Sequence, residues 1–317
     1  NTGFKGSTVS WASANTAHIT LCKFFSNVAE KNGGIYAGTD TSGGGNGFKI
    51  SNSTFVNNKA RCGADIATSV SNAIIINCNF TNSTSGYGGS MVIRERAPKN
   101  TQVINCRFVN TSSTGSNDGS RNGGGAIYVA EDLGTAVTEN IQIINVTIIN
   151  STSNTDGGAI KWGSTGGSGN YGKLINVTII NATATSTWDM KYDDYGKGGA
   201  IYWLAPYGEF RNVTVINANS RNDGGAIYIE GGNCNIFNSS ISNSVANKSG
   251  GAIYWNGANG IVSNTNFTNN SALGTGGGAI YWAGANGQVL SSFFTENNAV
   301  DGGAIYWSGT NAKLDNL

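Results

Sequence analysis

The segment Gly250-Gly251-Ala252-Ile253-Tyr254-Trp255 decides the fold of this chain, because the same six residues also occur at 198–203, 277–282 and 302–307. The shorter form Gly-Gly-Ala-Ile begins at seven places, namely Gly124, Gly157, Gly198, Gly224, Gly250, Gly277 and Gly302. Degenerate copies begin at Gly6, Gly33, Gly63 and Gly88. The last four spacings are 26, 26, 27 and 25 residues. Self-similarity at a nearly fixed period indicates a repeat architecture, here with eleven copies.

A second motif of the form Asn-x-Thr/Cys-x-Phe/Ile-x-Asn lies between successive copies, as in 145–150 and 264–269. Both motifs are rich in β-branched and aromatic residues, alternate in polarity and end at Gly or Asn, which is typical of strands. A period near 26 residues with two or three short strands fits one coil of a parallel β-helix, whereas a propeller blade needs about 40 residues. We therefore predict an all-β, right-handed parallel β-helix of about eleven coils that forms one domain over residues 1–317.

Alignment of the copies predicts which side chains face the core. The Ile of Ala-Ile-Tyr-Trp and the apolar residue two positions later share the inward face, because strand side chains alternate. The intervening position is predicted to face outward as a tyrosine ladder made of Tyr128, Tyr202, Tyr228, Tyr254, Tyr281 and Tyr306. In the second motif, Phe or Ile forms another inward ladder, and the Asn that follows is expected at a turn, bonding its own backbone or stacking on its equivalents.

Composition excludes several classes of function. Charged residues make up only 12% of the chain, the formal net charge is +1, and no basic run occurs. Neither nucleic acid nor an anionic membrane is therefore expected as a partner. No window reaches the roughly 18 apolar residues of a membrane span. The chain begins at Asn1 without Met and stops partway through a copy, from which we expect a part of a longer chain or of an assembly.

The five cysteines are too few for a disulfide framework. Cys22, Cys78 and Cys106 occupy a small inward position of the second motif, which favours buried thiols. A disulfide between Cys78 and Cys106 also fits their places in adjacent coils, so both alternatives stay open. Cys62 and Cys234 fall at turn positions. No Cys/His cluster is present, so no metal site is expected from these residues, and the single histidine has no triad partners.

Carboxylates allow two interpretations. Asp156, Asp223 and Asp301 precede the double glycine, where other copies hold Ser249 and Gly276, so a turn role is favoured over catalysis. An insertion that lengthens one period to 41 residues, from 157 to 198, interleaves aromatic and acidic residues. Such a loop could stack a sugar ring and bond its hydroxyl groups, could hold calcium, or could only pack on the rod. The candidate ligand-binding residues are Trp188, Asp189, Tyr192, Asp193, Asp194 and Tyr195.

The glycosylation triplet Asn-x-Ser/Thr occurs thirteen times, and N-linked glycans are expected on outward-facing copies in turns. No other cofactor is expected. The candidate asparagines are Asn52, Asn79, Asn82, Asn110, Asn145, Asn150, Asn176, Asn181, Asn212, Asn238, Asn247, Asn266 and Asn269.

Gly-Gly-Ala-Ile alternating with Phe-x-x-Asn, as in 55–58 and 267–270, resembles the repeats of chlamydial polymorphic outer-membrane proteins. It resembles even more the adhesin-like surface proteins of methanogenic archaea, over nearly the whole chain from Gly6 onward. The resemblance implies a secreted, extracellular β-helix that serves as a stalk or adhesive surface on the cell, and it carries over no catalytic residues because the motif is structural.

We therefore expect a non-enzymatic adhesin, or a filament or sheath component. Its expected partners are glycans or proteins of a host or neighbouring cell, and it could also associate with itself through open β-helix ends. The alternative is a carbohydrate-active β-helix enzyme, a polysaccharide lyase or hydrolase similar to tailspikes.

Overall fold

A computed structural model describes residues 1–11, 16–38, 45–94, 97–115, 123–130, 138–163, 170–186 and 195–317. Within these ranges every regular element is a β-strand, and strands pair in parallel with their equivalents in the coils before and after. The predicted all-β parallel β-helix is therefore confirmed. The strands form four stacks, which we call faces 1 to 4 in the order in which a coil passes through them.

Face 1 carries the Ala-Ile-Tyr-Trp segment and forms a sheet of its own, in which eleven strands are described. Its strands are Val9–Trp11, Ile35–Ala37, Ile66–Thr68, Met91–Arg94, Ile127–Ala130, Ile160–Trp162, Ile201–Trp203, Ile227–Ile229, Ile253–Trp255, Ile280–Trp282 and Ile305–Trp307.

Faces 2 to 4 belong to a second sheet, because three long strands run round its corners without a break. Gln142–Ser153 and Lys173–Ala184 cross all three faces, and Glu209–Ile216 crosses faces 2 and 3. The other strands of face 2 are His18–Thr20, Lys49–Ser51, Ile74–Ile76, Gln102–Ile104, Asn235–Phe237, Ile261–Ser263, Gln288–Leu290 and Lys313–Asp315. Those of face 3 are Lys23–Phe25, Thr54–Val56, Asn79–Thr81, Arg107–Val109, Ser240–Ser242, Asn266–Thr268 and Phe293–Thr295. Those of face 4 are Thr2–Lys5, Val28–Asn32, Lys59–Cys62, Thr84–Tyr87, Ser112–Ser113, Asn219–Ser220, Val245–Ala246 and Ser271–Ala272.

The corners between faces are built by residues in the left-handed backbone region, most of them asparagine, which tolerates positive φ better than other non-glycine residues. Within a coil they are five residues apart, as at Asn72, Asn77 and Asn82. We name the corners A, B and C, in that order, from face 1 to face 4. The expectation that asparagines mark turns is confirmed.

The double glycine makes the turn from face 4 into face 1. Its first member adopts positive φ, for example 66° at Gly250. Its second member, such as Gly251, faces the carbonyl oxygen of its equivalent Gly278 so closely that a Cβ atom could not be accommodated. The two glycines are therefore required for different reasons, one for backbone conformation and one for coil-to-coil contact.

The core consists of stacked identical positions, as the aligned copies predicted. Ile253 and Ile280 are fully buried, and the rings of Trp255 and Trp282 stack at 4.5 Å between centroids. On face 3, Phe55 stacks at 4.9 Å on the next ring along the rod. Repeated burial of large apolar side chains, at about 1.5–3 kcal/mol each, is the main source of stability.

Candidate binding surface

Five tyrosines of face 1 form a continuous stack along the outside of the rod. Their ring centroids are separated by 5.2, 5.0, 4.9 and 5.0 Å, and the last three pairs lie within 18° of parallel. The stack contains Tyr202, Tyr228, Tyr254, Tyr281 and Tyr306. Because each ring covers the face of its neighbour, the stack presents ring edges and phenol groups to a partner rather than open ring faces.

The six tyrosines were predicted to face outward, and none of them belongs to the main core, but neighbouring side chains cover two of the six. Tyr128 is 1% exposed, because the edge of the Tyr87 ring packs against it at 5.8 Å between centroids. Tyr228 is 6% exposed, because Tyr254 covers one ring face and the ammonium group of Lys197 lies 5.1 Å from its centroid. The other four members are half-buried or exposed.

Tyr254 has an unusual environment for a surface phenol. Burial, followed by the negative charge of Asp223, raises its pKa to about 12. The phenol therefore stays protonated at any physiological pH and can donate a hydrogen bond as well as accept one.

The insertion predicted to bind a ligand lies mostly outside the described residues, since Trp188, Asp189, Tyr192, Asp193 and Asp194 fall in the undescribed range 187–194. Tyr195 is described and half-buried, and its carbonyl oxygen accepts a hydrogen bond of 3.5 Å from the side-chain amide of Asn222.

The residues that follow this insertion are held by Asp156. Its carboxylate accepts the backbone N–H groups of Gly196 and Lys197, at 3.1 Å each, and lies 3.4 Å from the ammonium group of Lys161. Asp156 and Lys161 are both buried, so each charge has its counterpart within the protein. Asp156 thus fixes the base of the insertion to the rod.

The other two aspartates before the double glycine differ from Asp156. Asp223 accepts the backbone N–H of Ser249 at 3.1 Å, and burial raises its pKa. Asp301 is exposed at the last described coil. Within the described part of the chain, no three His, Cys, Asp or Glu side chains lie close enough together to hold a metal ion.

Sequence reasoning missed Asp65, a fully buried carboxyl group. Desolvation raises its pKa to about 7, although the neighbouring polar side chains of Ser83, Asn58 and Ser90 act in the opposite direction. The hydrogen bond from the Asn58 amide measures 2.7 Å. Alignment of the copies could have identified this residue, because Asp65 stands where other copies have the buried Ala of Gly-Gly-Ala-Ile.

The cysteines are free thiols in the structure, so the alternative of a Cys78–Cys106 disulfide is not realised there. Contact with Cys78 and burial raise the pKa of the Cys106 thiol. Cys22 is exposed rather than in the core, because it begins the first described coil of face 3. Cys62 and Cys234, expected at turns, are both buried.

Ten of the thirteen glycosylation triplets have their asparagine at a corner, in the left-handed region. At most of these positions the side-chain amide donates to the amide oxygen one coil earlier, as from Asn145 to Asn105 at 3.1 Å and from Asn176 to Asn145 at 2.9 Å. The ten are Asn52, Asn82, Asn110, Asn145, Asn150, Asn176, Asn181, Asn212, Asn238 and Asn269. The other three, Asn79, Asn247 and Asn266, are exposed away from the corners.

Comparison with known protein families gives a match near the end of the chain. Residues 264–281, which run from corner B into the next face 1 strand, match the Chlamydia polymorphic membrane protein repeat. This supports the chlamydial part of the resemblance noted from the sequence. No curated protein matches the chain.

Among solved structures, the chain is similar to a trypsin-treated variant of QnrB1, a plasmid-mediated fluoroquinolone resistance protein. The identity is 12%, the alignment covers 95% of this chain and 92% of that one, and the TM-score is 0.20. A TM-score this low does not relate the two structures. No helix able to cross a membrane occurs in the described ranges.

Proposed function

We propose that this chain is a non-enzymatic, extracellular surface protein of the adhesin type, which contacts glycans or proteins of another cell through its outer faces. The observation that carries the proposal is the tyrosine stack of face 1, a row of phenol groups about 20 Å long at roughly 5 Å per coil. The family of the matched repeat, named for membrane proteins, supports a place at the cell surface.

Two physical features favour recognition over catalysis. Tyrosine and other aromatic side chains are enriched at protein interfaces because they offer large, rigid contact areas with a polar tip. Two carboxylates form ion pairs within the protein: Asp156 with Lys161, and Glu209 with both Lys173 and Arg211. An adhesive surface needs no free acid and base pair, whereas glycoside hydrolysis does.

The proposal extends to assembly and modification. A role as a stalk, filament or sheath component would use the rod as a spacer, and further association could occur at strand edges. N-linked glycans remain a proposal for the exposed triplets, and calcium for the acidic insertion. The likeness to methanogen adhesins also remains a proposal.

The experiment is a binding assay with the purified chain on fluorescent beads, incubated with cells and with arrays of glycans and extracellular matrix proteins. The triple variant Tyr254→Phe, Tyr281→Phe, Tyr306→Phe keeps the ring stack and removes three phenol groups. We expect it to reduce binding at least five-fold, while the control Tyr128→Phe, at a buried ring, retains it. Absence of binding by the unmodified chain to every surface tested would reject the proposed function.

A further inference from the structure

Along corner B the asparagine side chains are hydrogen-bonded to one another in a series that we call the amide chain. This series stops partway along the rod. From Asn77 to Asn212 each described asparagine of this corner bonds the amide one coil earlier, and the last bond, from Asn212 to Asn176, measures 2.8 Å. In the next two coils, both of them described, neither Asn238 nor Asn264 makes a side-chain hydrogen bond. Their amides are exposed, so both the donor and the acceptor of each are available.

The interruption coincides with a change in the residue that follows the corner. Val213 is apolar there, but the next coil has Ser239, whose hydroxyl accepts the backbone N–H of Val213 at 3.1 Å and donates to the Phe237 carbonyl at 2.8 Å. Thr265 repeats the second of these bonds one coil later, because its hydroxyl donates to the Ser263 carbonyl at 2.9 Å. Side-chain hydroxyl groups therefore form hydrogen bonds with backbone groups at the place where the amide chain stops.

A groove of about 410 Å³ lies at the same place. Every residue of its lining is polar and uncharged, namely Asn212, Thr214, Asn238, Ser239, Ser240, Asn264 and Asn266. The groove is more open than enclosed, so a ligand would lie along it with one side in solvent, unlike the enclosed and mostly apolar pockets of drug-sized molecules. The lining offers paired amide donors and acceptors without any charge that would require a counterion.

Two residues of face 2, Arg211 and Phe237, directly precede the corner asparagines but are not part of the lining of the groove. The guanidinium carbon of Arg211 lies 5.6 Å from the centroid of the Phe237 ring, and these residues immediately precede Asn212 and Asn238. The charge of Arg211 is matched by Glu209, which accepts two of its N–H groups at 3.0 and 2.8 Å. The side chains beside the groove therefore add little free charge to attract an anionic ligand.

We infer that this groove, which we call the corner-B groove, binds a neutral oligosaccharide. Amide groups with free donors and acceptors suit the adjacent hydroxyl groups of a sugar, and the uncharged lining suits a ligand without charge. From Asn77 to Asn212 the corner-B amides are occupied by one another, so the ligand has a defined position on an otherwise repetitive rod. The inference rests on the proposed function and names one glycan site within it.

The test uses the full chain produced without N-glycosylation, because a glycan on Asn212, Asn238 or Asn266 would itself fill the groove. An array of uncharged hexose and N-acetylhexosamine oligosaccharides, with acidic counterparts, identifies a ligand, and calorimetry then gives its Kd. The double variant Asn238→Gly, Asn264→Gly removes both free amides and keeps a residue that tolerates positive φ. Its control, Asn150→Gly, Asn181→Gly, removes two bonded corner amides.

We expect the groove variant to raise the Kd at least ten-fold and the control to change it less than two-fold. Equal effects of both variants, binding of acidic glycans alone, or no binding of any neutral glycan would overturn the inference. If cells still adhere through the tyrosine stack in any of these cases, the proposed function stands and only the corner-B groove is rejected. Loss of both kinds of binding in the unmodified chain would reject both proposals.

Discussion

Gly260 lies against the indole ring of Trp255, so closely that a Cβ atom at position 260 would overlap the ring. Gly287 has the same relationship with Trp282. Both glycines directly follow corner A, opposite the third position of the face 1 strand. Where that strand position holds the smaller Ile229, the residue after the corner is the larger Cys234. The two positions therefore share one volume in the core.

The first prediction tests this shared volume. Gly260→Ala should lower the free energy of unfolding by about 1–3 kcal/mol, because a methyl group must displace the indole ring. Combining Gly260→Cys with Trp255→Ile, which copies the Ile229 and Cys234 pair, should restore most of the loss. Thermal and denaturant unfolding followed by circular dichroism give the values. The control is Gly232→Ala, since a Cβ there would have an ordinary contact of 3.4 Å. A single variant as stable as the control would contradict the shared volume.

The second prediction concerns pH. Burial raises the pKa of Asp65 from its ordinary value of 3.8 to about 7, so between these values the folded chain holds a proton that the unfolded chain has released. Stability should therefore fall as the pH rises from about 4 to 7, by on the order of 4 kcal/mol, and then level off. Asp65→Ala, which copies the residue of later copies, should remove most of this slope.

Two other carboxyl groups determine the pH dependence of stability that remains in the Asp65→Ala variant. The raised pKa of Asp223 contributes a smaller slope of the same sign. Burial would raise the pKa of Glu209, but its contacts with Arg211 and Lys173 together lower it, so this group acts in the opposite direction and stability is lost as the pH falls. Unfolding curves at a series of pH values from about 4 to about 8.5 separate these effects. An unchanged slope in the Asp65 variant would show that its carboxyl is not the buried proton carrier.

The third prediction separates the two roles of a corner asparagine. Asn145 has φ of 54° and bonds both the coil before and the coil after. Asn145→Ala removes these bonds and places alanine in the left-handed region, so it should cost about 2–3 kcal/mol. Asn145→Gly removes the bonds alone and should cost about 1 kcal/mol. Denaturant unfolding of both variants measures the difference. Equal stability of the two would mean that backbone conformation contributes nothing at this corner.

The fourth prediction concerns thiol accessibility. Cys22 is exposed and the other four cysteines are buried, so a maleimide should modify one thiol in the native protein and five after denaturation. Burial raises the pKa of Cys234 to about 12, which further slows its reaction. Intact mass gives both counts, and Cys22→Ser should abolish the native reaction. Only three reactive thiols after denaturation would indicate a Cys78–Cys106 disulfide in solution.

The fifth prediction concerns glycosylation in a host that modifies Asn-x-Ser/Thr. Corner asparagines engage the same Nδ2 atom that would carry a glycan, and neighbouring coils flank it on both sides. We expect Asn79, Asn247 and Asn266 to be modified more than Asn145, Asn150, Asn176 and Asn181. Peptide mapping after secretion measures occupancy at each site. Full occupancy at successive corner positions would show that the amide chain does not limit modification.

The sequence was sufficient to predict the coil, because aligned copies carry the same residue type at the same inward position, as Ile253 and Ile280 do. The sequence was insufficient where a side chain from another coil determines whether a residue is exposed or bonded. Tyr128 is buried by Tyr87, which belongs to another face of another coil. The triplet at Asn145 contains no sign that its amide is bonded across coils, and the corner-B groove depends on where these bonds stop. Such features follow from contacts between copies, which periodicity alone does not define.

The contact between Gly251 and the Gly278 carbonyl has a consequence for evolution of length. Because each coil rests on the next through the same glycine contact, the axial advance per copy is nearly constant at about 4.8 Å. Duplication or loss of one whole copy would change the length of the rod by one such step and keep the glycine contact between the coils on either side. The double glycine thereby makes the length of the rod proportional to the number of copies in the sequence.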